Sequence, residues 1–569
     1  MKKISQSLIV LGLAVFLLSS CGGLNRMQRN ADEVRYDVTP EILEAHASEV
    51  EAAIRGTYPD RYFHRNVILE LTPVIVHAGG ETELNTLTLQ GENVTDNHQV
   101  ISRDGGRFNY VDKVPFDEDM RVSELILRVT GHQGNRTSEF EPVKLADGVI
   151  ATSMLVMKDP RPVLALDQFR RVIPETKEAE LFYLINRAEV RASELRSERI
   201  QGLGEFLKEA ADDERIVLNQ AGIRAYASPD GPLNFNERLA EQRKETSNKV
   251  MSDKMEEATF EITENFYETM ALGEDWEGFR KMVEESDIAD RQLILRVLSM
   301  YSDPEVREEE IRNMTAVFEE LAEKVLPKLR RAVMAVDFER VGYCDDEIQE
   351  VFASDPDRLN LEELLYTATL LDDYNMKLRA YQAAARNFPN CNRAHNNVGY
   401  VQLKLNNVSA AKSSFQSAQR IKDDDIVKNN LGAVALMEGN IDQAEEYFRS
   451  VASPTSETNY NLGIVSIIKA DYDAAESYFG NTCEVNTALA KMLNNNNDDA
   501  VRILNCVEDP CPMTYYLKAI VGARTDDTNM LFDNLRTAVD MAEDLKEDAK
   551  TNMEFGRYFE HETFVSIVD

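Results

Sequence analysis

The residues of this chain whose types and spacing suit a ligand are Ser228, Asp230, Asn236 and Arg243, within the stretch 223–250, IRAYASPDGPLNFNERLAEQRKETSNKV. A short apolar strand opens it, Pro229, Gly231 and Pro232 break it, and a helix follows in which Phe235, Leu239, Gln242 and Val250 fall roughly on one side. A strand, a tight loop and a helix N-terminus place backbone amides and the positive end of a helix dipole beside a cleft, which suits a carboxylate. Arg243 adds a guanidinium fork that matches the same group. The blander alternative is that Ser228 and Asp230 only shape the turn and cap the helix.

Other chemistry finds no foothold. The seven histidines are scattered without a His-Glu-x-x-His pair, and there is no Cys-x-x-Cys, no Cys/His cluster with metal spacing, no Gly-x-Ser-x-Gly elbow and no phosphate-binding Gly-rich loop. The reading is a non-enzyme with no cofactor and no metal. A net charge of −37 excludes nucleic acid as a partner, because binding it needs basic faces that release counterions.

The 569 residues exceed one core, and the pattern changes three times along them. Residues 1–20 carry Lys2, Lys3 and an apolar run at 8–18, and end on Leu18-Ser19-Ser20 before Cys21. This resembles a bacterial lipoprotein signal, which implies an acylated Cys21 and a lipid-anchored mature chain. Residues 21–33 read as a polar tether. From 34 to 160, strand-like runs at 67–78, 84–91, 123–131 and 148–157, punctuated by Gly79-Gly80 and Gly105-Gly106, predict a β-sandwich; irregular β segments packed on the next domain are the alternative.

Residues 175–340 mix strands and helices around the opening stretch. Gly231, Asn236, Leu239 and Arg243 resemble the OmpA-like cell-wall-binding domain, whose pattern is Gly-His-Thr-Asp-x-x-Gly followed by Asn-x-x-Leu-Ser-x-x-Arg. The resemblance implies that Arg243 and an Asp grip the zwitterionic end of diaminopimelate in peptidoglycan, but that Asp is Ser228 here and the nearest carboxylate is Asp230. Either the domain binds peptidoglycan or its fold is kept for protein contact. The final strand is expected at 332–336, after Leu329-Arg330-Arg331, with a helical insertion over about 253–328 anchored by the single Trp, Trp276.

From 361 to 569 a repeat takes over. Gly399, Ala411 and Phe415 recur as Gly432, Ala444 and Phe448, then as Gly463, Ala475 and Phe479, with glycine steps of 33 and 31 residues. This resembles the tetratricopeptide repeat, about six helical hairpins and a cap, in which an Asn two residues before the Gly often holds a peptide backbone or carboxylate. Asn397, Asn430 and Asn461 stand there; helix-to-helix hydrogen bonding is their other reading. On that hairpin pattern Cys483 precedes one A helix and Cys506 follows its B helix, so the two are expected to form a disulfide, with Cys511 the competing partner for Cys506.

The whole order resembles outer-membrane lipoproteins of Bacteroidetes-type bacteria. It implies a periplasmic scaffold linking the outer membrane to peptidoglycan and to proteins held in the repeat groove; the alternative is an accessory protein-binding subunit of an outer-membrane assembly, secretion or fimbria-building machine. Surface-exported lipoproteins of such bacteria carry acidic residues after the acylated Cys, whereas Gly22, Gly23, Leu24, Asn25 and Arg26 follow Cys21. Protease added to intact cells is therefore expected to leave the protein whole, and its digestion there would place it on the outer surface.

Overall fold

The strands Glu49–Tyr58 and Ser123–Gln133 alternate buried with more exposed side chains along their length, so each covers a core on one face. The computed structural model describes residues 22–260, 266–288 and 290–569; the leader 1–20 and Cys21 lie outside the described residues. The chain divides into two units. One holds the chain up to Leu166 together with Asp373–Asp569, and the other is Asp167–Asp372.

In the first unit, Arg35–Thr39, Leu43–His46, Gly106–Pro115 and Val149–Ile150 join Glu49–Tyr58 in one sheet, while Ile68–His77 and Ser123–Gln133 are central to a second. Val50, Ile54 and Phe108 of the first sheet share a core with Leu69, Leu71, Leu127 and Val129 of the second. Two sequence expectations change here. The supposed tether contains a helix, Gly23–Arg29, whose Leu24 and Met27, one turn apart, are buried against the sheets, with the Tyr62 hydroxyl donating to the Met27 carbonyl at 2.9 Å. The run 148–157 forms only the short strand Val149–Ile150 and a turn of 3-10 helix, Thr152–Leu155; Ser153 is pinned by donating to the Ala45 carbonyl at 2.7 Å. Beyond it the chain continues with no strand partner as a strap, residues 156–166.

The second unit is built on a four-stranded sheet. Its elements are β1 (Val172–Phe182), α1 (Glu198–Asp212), β2 (Ile216–Ala227), α2 (Leu233–Glu257), β3 (Tyr267–Glu274) and β4 (Arg331–Val341), with strand order β1-β4-β2-β3. Only the β2–β3 pair is parallel. Leu203 and Leu207 of α1 and Val250 and Met251 of α2 cover Leu181, Ile223, Met334 and Val336 of the sheet. The expected insertion is thus shorter at its start: α2 runs to Glu257, and β3 belongs to the sheet. Trp276–Glu284, Arg291–Met300, Pro304–Asn313, Thr315–Lys324 and Leu326–Leu329 form the helical insertion, with a core of their own around Phe279, Ile294 and Leu321 against which Trp276 packs. The helices Asp345–Ser354 and Leu361–Thr367 close this unit.

The C-terminal array returns to the first unit. After Tyr374–Asn387 come five hairpins: α3 (Asn392–Lys404) with α4 (Val408–Ile421), α5 (Asp425–Met437) with α6 (Ile441–Arg449), α7 (Ser456–Ile468) with α8 (Tyr472–Phe479), α9 (Val485–Leu493) with α10 (Asn497–Cys506), and α11 (Pro512–Arg524) with α12 (Thr528–Met541). The expected first hairpin, pairing Ala368 with Ala380, is divided, because Ala368 falls in the other unit. The repeated glycines have a steric cause: a Cβ on Gly399, Gly432 or Gly463 would lie 2.5–2.6 Å from the ring of Phe415, Phe448 or Phe479 on the following helix. The cap, residues 545–568, packs in the same unit as the sheets; Arg121 donates to Asp548 at 2.9 Å and the Thr152 hydroxyl to Glu554.

Cys483 and Cys506 form a disulfide with Cα atoms 5.3 Å apart, and Cys511 is free. Closing a loop of 23 residues stabilises by about 3 kcal/mol in the chain-entropy picture. Replacing both cysteines by serine is expected to lower the unfolding free energy by that order in denaturant titration; an unchanged midpoint would mean that α9 and α10 are held by packing alone.

Candidate functional site

The loop between β2 and α2 brings Ser228, Asp230 and Asn236 together. The Asn236 side chain donates to the carbonyls of Ser228 (3.1 Å) and Gly231 (2.9 Å) and to Glu274 of β3 (2.9 Å), so it fastens the loop to the helix and the sheet. The Ser228 hydroxyl donates to Asp230, and Arg330, just ahead of β4, reaches both, with Nη2 at 2.8 Å from Asp230 Oδ2 and Nε at 3.2 Å from Ser228 Oγ. Arg312 of the insertion adds a bond to the Asp230 carbonyl at 2.6 Å. Asp230 is therefore already paired.

Arg243 is fully buried, and its guanidinium donates to three backbone carbonyls: Arg187 (3.0 Å), Tyr226 (2.8 Å) and Leu184 (3.2 Å). Burial pushes its pKa down to about 10. Its donors face protein oxygens, not an open cleft. Glu274, whose pKa burial raises, also accepts from Trp276 Nε1 at 2.9 Å. Arg330 and Glu274 were absent from the sequence-derived set; Arg330 was legible only as part of the Leu329-Arg330-Arg331 run before the last strand.

A second constellation lies within the first unit. Asn397 on α3, Asn430 on α5 and Asn461 on α7 meet the strap, and each side-chain amide binds both backbone groups of one strap residue. Asn461 accepts from Arg161 N at 2.7 Å and donates to its carbonyl at 3.0 Å. Asn430 does the same to Val163 at 2.6 and 2.8 Å, and Asn397 to Ala165 at 2.9 and 2.8 Å. Asn486 on α9 continues the row with Met157, both bonds at 2.9 Å. Asn486 was missed because its repeat has Ala488 where the others have Gly; the same two-residue offset would have found it.

A second rail backs the first. Asn396 and Asn429 donate to the carbonyls of Val163 (3.2 Å) and Arg161 (3.0 Å), and they accept from Asn430 (2.8 Å) and Asn461 (3.2 Å). All six asparagines are at most 1% exposed, so each bond answers a polar atom that has no water. In the third repeat the position of Asn396 and Asn429 is taken by Tyr460. Its hydroxyl donates to Asp159 at 2.9 Å, and its ring carries the Arg161 guanidinium at 3.6 Å from the centroid. Arg161 also pairs with Glu484 at 2.8 Å. The asparagines thus act as peptide-backbone receptors, and the backbone they hold is the chain's own.

No protein-family model matches the chain, and no curated protein matches it in sequence. Solved structures similar to it include a tetratricopeptide repeat protein from Parabacteroides merdae, at 15% identity and TM-score 0.30 over 37% of this chain and 91% of that one. Another is PilW, a type IV pilus biogenesis factor, at 17% identity and TM-score 0.26 over 35% and 91%. YrrB, a tetratricopeptide repeat protein with an unusual peptide-binding site, aligns at 16% identity and TM-score 0.21 over 35% and 95%. At such scores the likeness carries nothing about function.

Asn430→Ala removes both bonds to Val163, the one to Asn396 and the one from Asn429. The expected cost is about 2 kcal/mol, read as roughly thirtyfold faster hydrogen exchange at the Arg161 and Ala165 amides; unchanged exchange would mean that the strap is held without the ladder. Burial raises the Asp159 pKa. The folded chain then binds that proton more tightly than the unfolded one, so strap stability is expected to fall as pH rises from the ordinary aspartate range through the raised value. Asp159→Asn should flatten that dependence in exchange measurements made across pH, and an identical slope would remove Asp159 as its source.

Proposed function

We propose that this protein is a non-enzymatic scaffold of the bacterial envelope, tethered by lipid on Cys21 to the periplasmic face of the outer membrane, and that it works through protein contacts. The leader sequence supports the tether. The observation that carries the reading is the asparagine ladder: a row of buried side-chain amides that takes an extended backbone and, beyond one arginine contact, makes little demand on its side chains. A site of that kind receives polypeptide. Its carboxyl groups are already engaged, Asp159 by the Tyr460 hydroxyl and Glu484 by Arg161.

The peptidoglycan reading has its own support in the strand, loop and helix that bring Ser228, Asp230 and Asn236 together beneath an OmpA-like pattern. Against it stand the Asp230–Arg330 pair and the burial of Arg243, which leave the diaminopimelate ends without an open charged partner. On this balance the OmpA-like unit serves protein contact, as in an accessory subunit of an outer-membrane machine. Co-sedimentation with purified peptidoglycan tests the choice. The wild-type chain is expected to stay in the supernatant, and Ser228→Asp to change nothing, because Arg330 holds the neighbouring carboxylate. Sedimentation that Arg243→Ala abolishes would instead give the cell-wall link the lead.

A further inference from the structure

The strap shows which polypeptide the ladder accepts. The backbone is read at Arg161, Val163 and Ala165, every second residue, and one side chain is read as well: the Arg161 guanidinium stacks on Tyr460 and pairs with Glu484. An aromatic face beside a carboxylate favours arginine over lysine, since a planar guanidinium lies flat on the ring while its N–H edge meets the carboxylate. The local charge also fits, for Glu484 and Asp159 both lie beside this arginine at Tyr460.

Between Lys158 and Leu164 the hold on the strap is polar: no side chain there is fully buried, and Leu166 is 74% exposed, whereas at the other end Val156 belongs to the core of the array with Met157 packed against it. Lifting residues 158–166 would let water reach a row of amides and would uncover little apolar surface besides Ala165. Few buried apolar contacts place such a segment at the low end of local stability.

We propose that the face formed by α3, α5, α7 and α9 is a binding site for an extended, arginine-bearing segment of a partner protein, and that the strap is the ligand it holds in cis until the partner replaces it. This rests on reading the chain as a protein-binding scaffold, and it names the chemistry of the partner. In the wild-type chain the tethered strap competes at high effective concentration, so a free peptide binds poorly. A strap without its arginine competes less well.

The probe is a fluorescein-labelled peptide with the sequence of residues 156–167, titrated into the full chain. Arg161→Ala is expected to bind it at least tenfold more tightly than wild type. Adding Glu484→Gln to that chain should remove the gain, and a peptide with alanine at the arginine position should lose tenfold. If Arg161→Ala melts like wild type and binds no better, or if the peptide binds equally with and without its arginine, the proposal falls and the strap is a fixed part of the fold. Dimers of Arg161→Ala that exclude the peptide would assign the site to a second copy, which also overturns it. Should Arg161→Ala not fold, hydrogen exchange on the wild type decides: the amides of Arg161, Val163 and Ala165 should exchange at least a hundredfold faster than those in the middle of α5, and exchange only in step with α5 refutes displacement. Peptidoglycan co-sedimentation reads the scaffold assignment separately, since peptide exchange is measured without any cell wall.

Discussion

The course of the strap through the first unit depends on one kind of interaction, a side-chain amide that pairs with both the N–H and the C=O of a single residue in an extended chain. An asparagine at the right height presents a donor and an acceptor side by side, as a neighbouring β-strand would. The pairing advances two strap residues for each repeat from Asn461 through Asn430 to Asn397, because an extended backbone turns every second residue to the same side. Between Met157 and Arg161 the rhythm lengthens, and there Asp159 reaches Tyr460. The strap therefore joins the sheets to the array by backbone recognition at four residues, in a chain whose two partners are far apart in sequence.

What the sequence made legible follows from how local each cause is. The glycine and phenylalanine of a repeat answer one another across a single hairpin, so their periodicity carries the array. The asparagine row was legible for the same reason. The strap was not: MKDPRPVLAL carries two prolines and no period of its own, and its partners lie 232 to 329 residues away. β3 escaped because YETMALGE is an edge strand, half exposed and rich in acidic residues, with no clean alternation between apolar and polar. The helix Gly23–Arg29 escaped because only Leu24 and Met27 mark its buried side among polar neighbours.

The loop after β2 shows how a polar cluster satisfies itself. The Asp230 carboxylate turns to Arg330, and the Ser228 hydroxyl completes the group. Arg243 cannot be left bare inside the protein, since an unpaired buried cation costs several kcal/mol. Three carbonyls around it supply partial negative charge without a counterion. The two arginines thus take different solutions, an ion pair near the surface and carbonyl solvation inside. Both leave the loop internally satisfied, which explains why a pattern that points to a ligand surrounds a site with its polar groups already engaged.

The division of the first unit has a consequence for how the molecule comes into being. The sheets and the strap emerge from the ribosome first, Asp167–Asp372 follows, and the array arrives last. Until α9 has been delivered, the strap has no asparagine at its Met157 end, and the sheets lack the cap residues Asp548 and Glu554 that Arg121 and Thr152 bind. Closure therefore waits for the end of the chain and is of high contact order, with the whole intervening unit as the loop to be closed. For that interval the newborn chain shows an extended, unpaired segment, and Arg121 and Thr152 without their carboxylates, to everything around it. Its maturation falls within the reach of whatever chaperones its compartment provides.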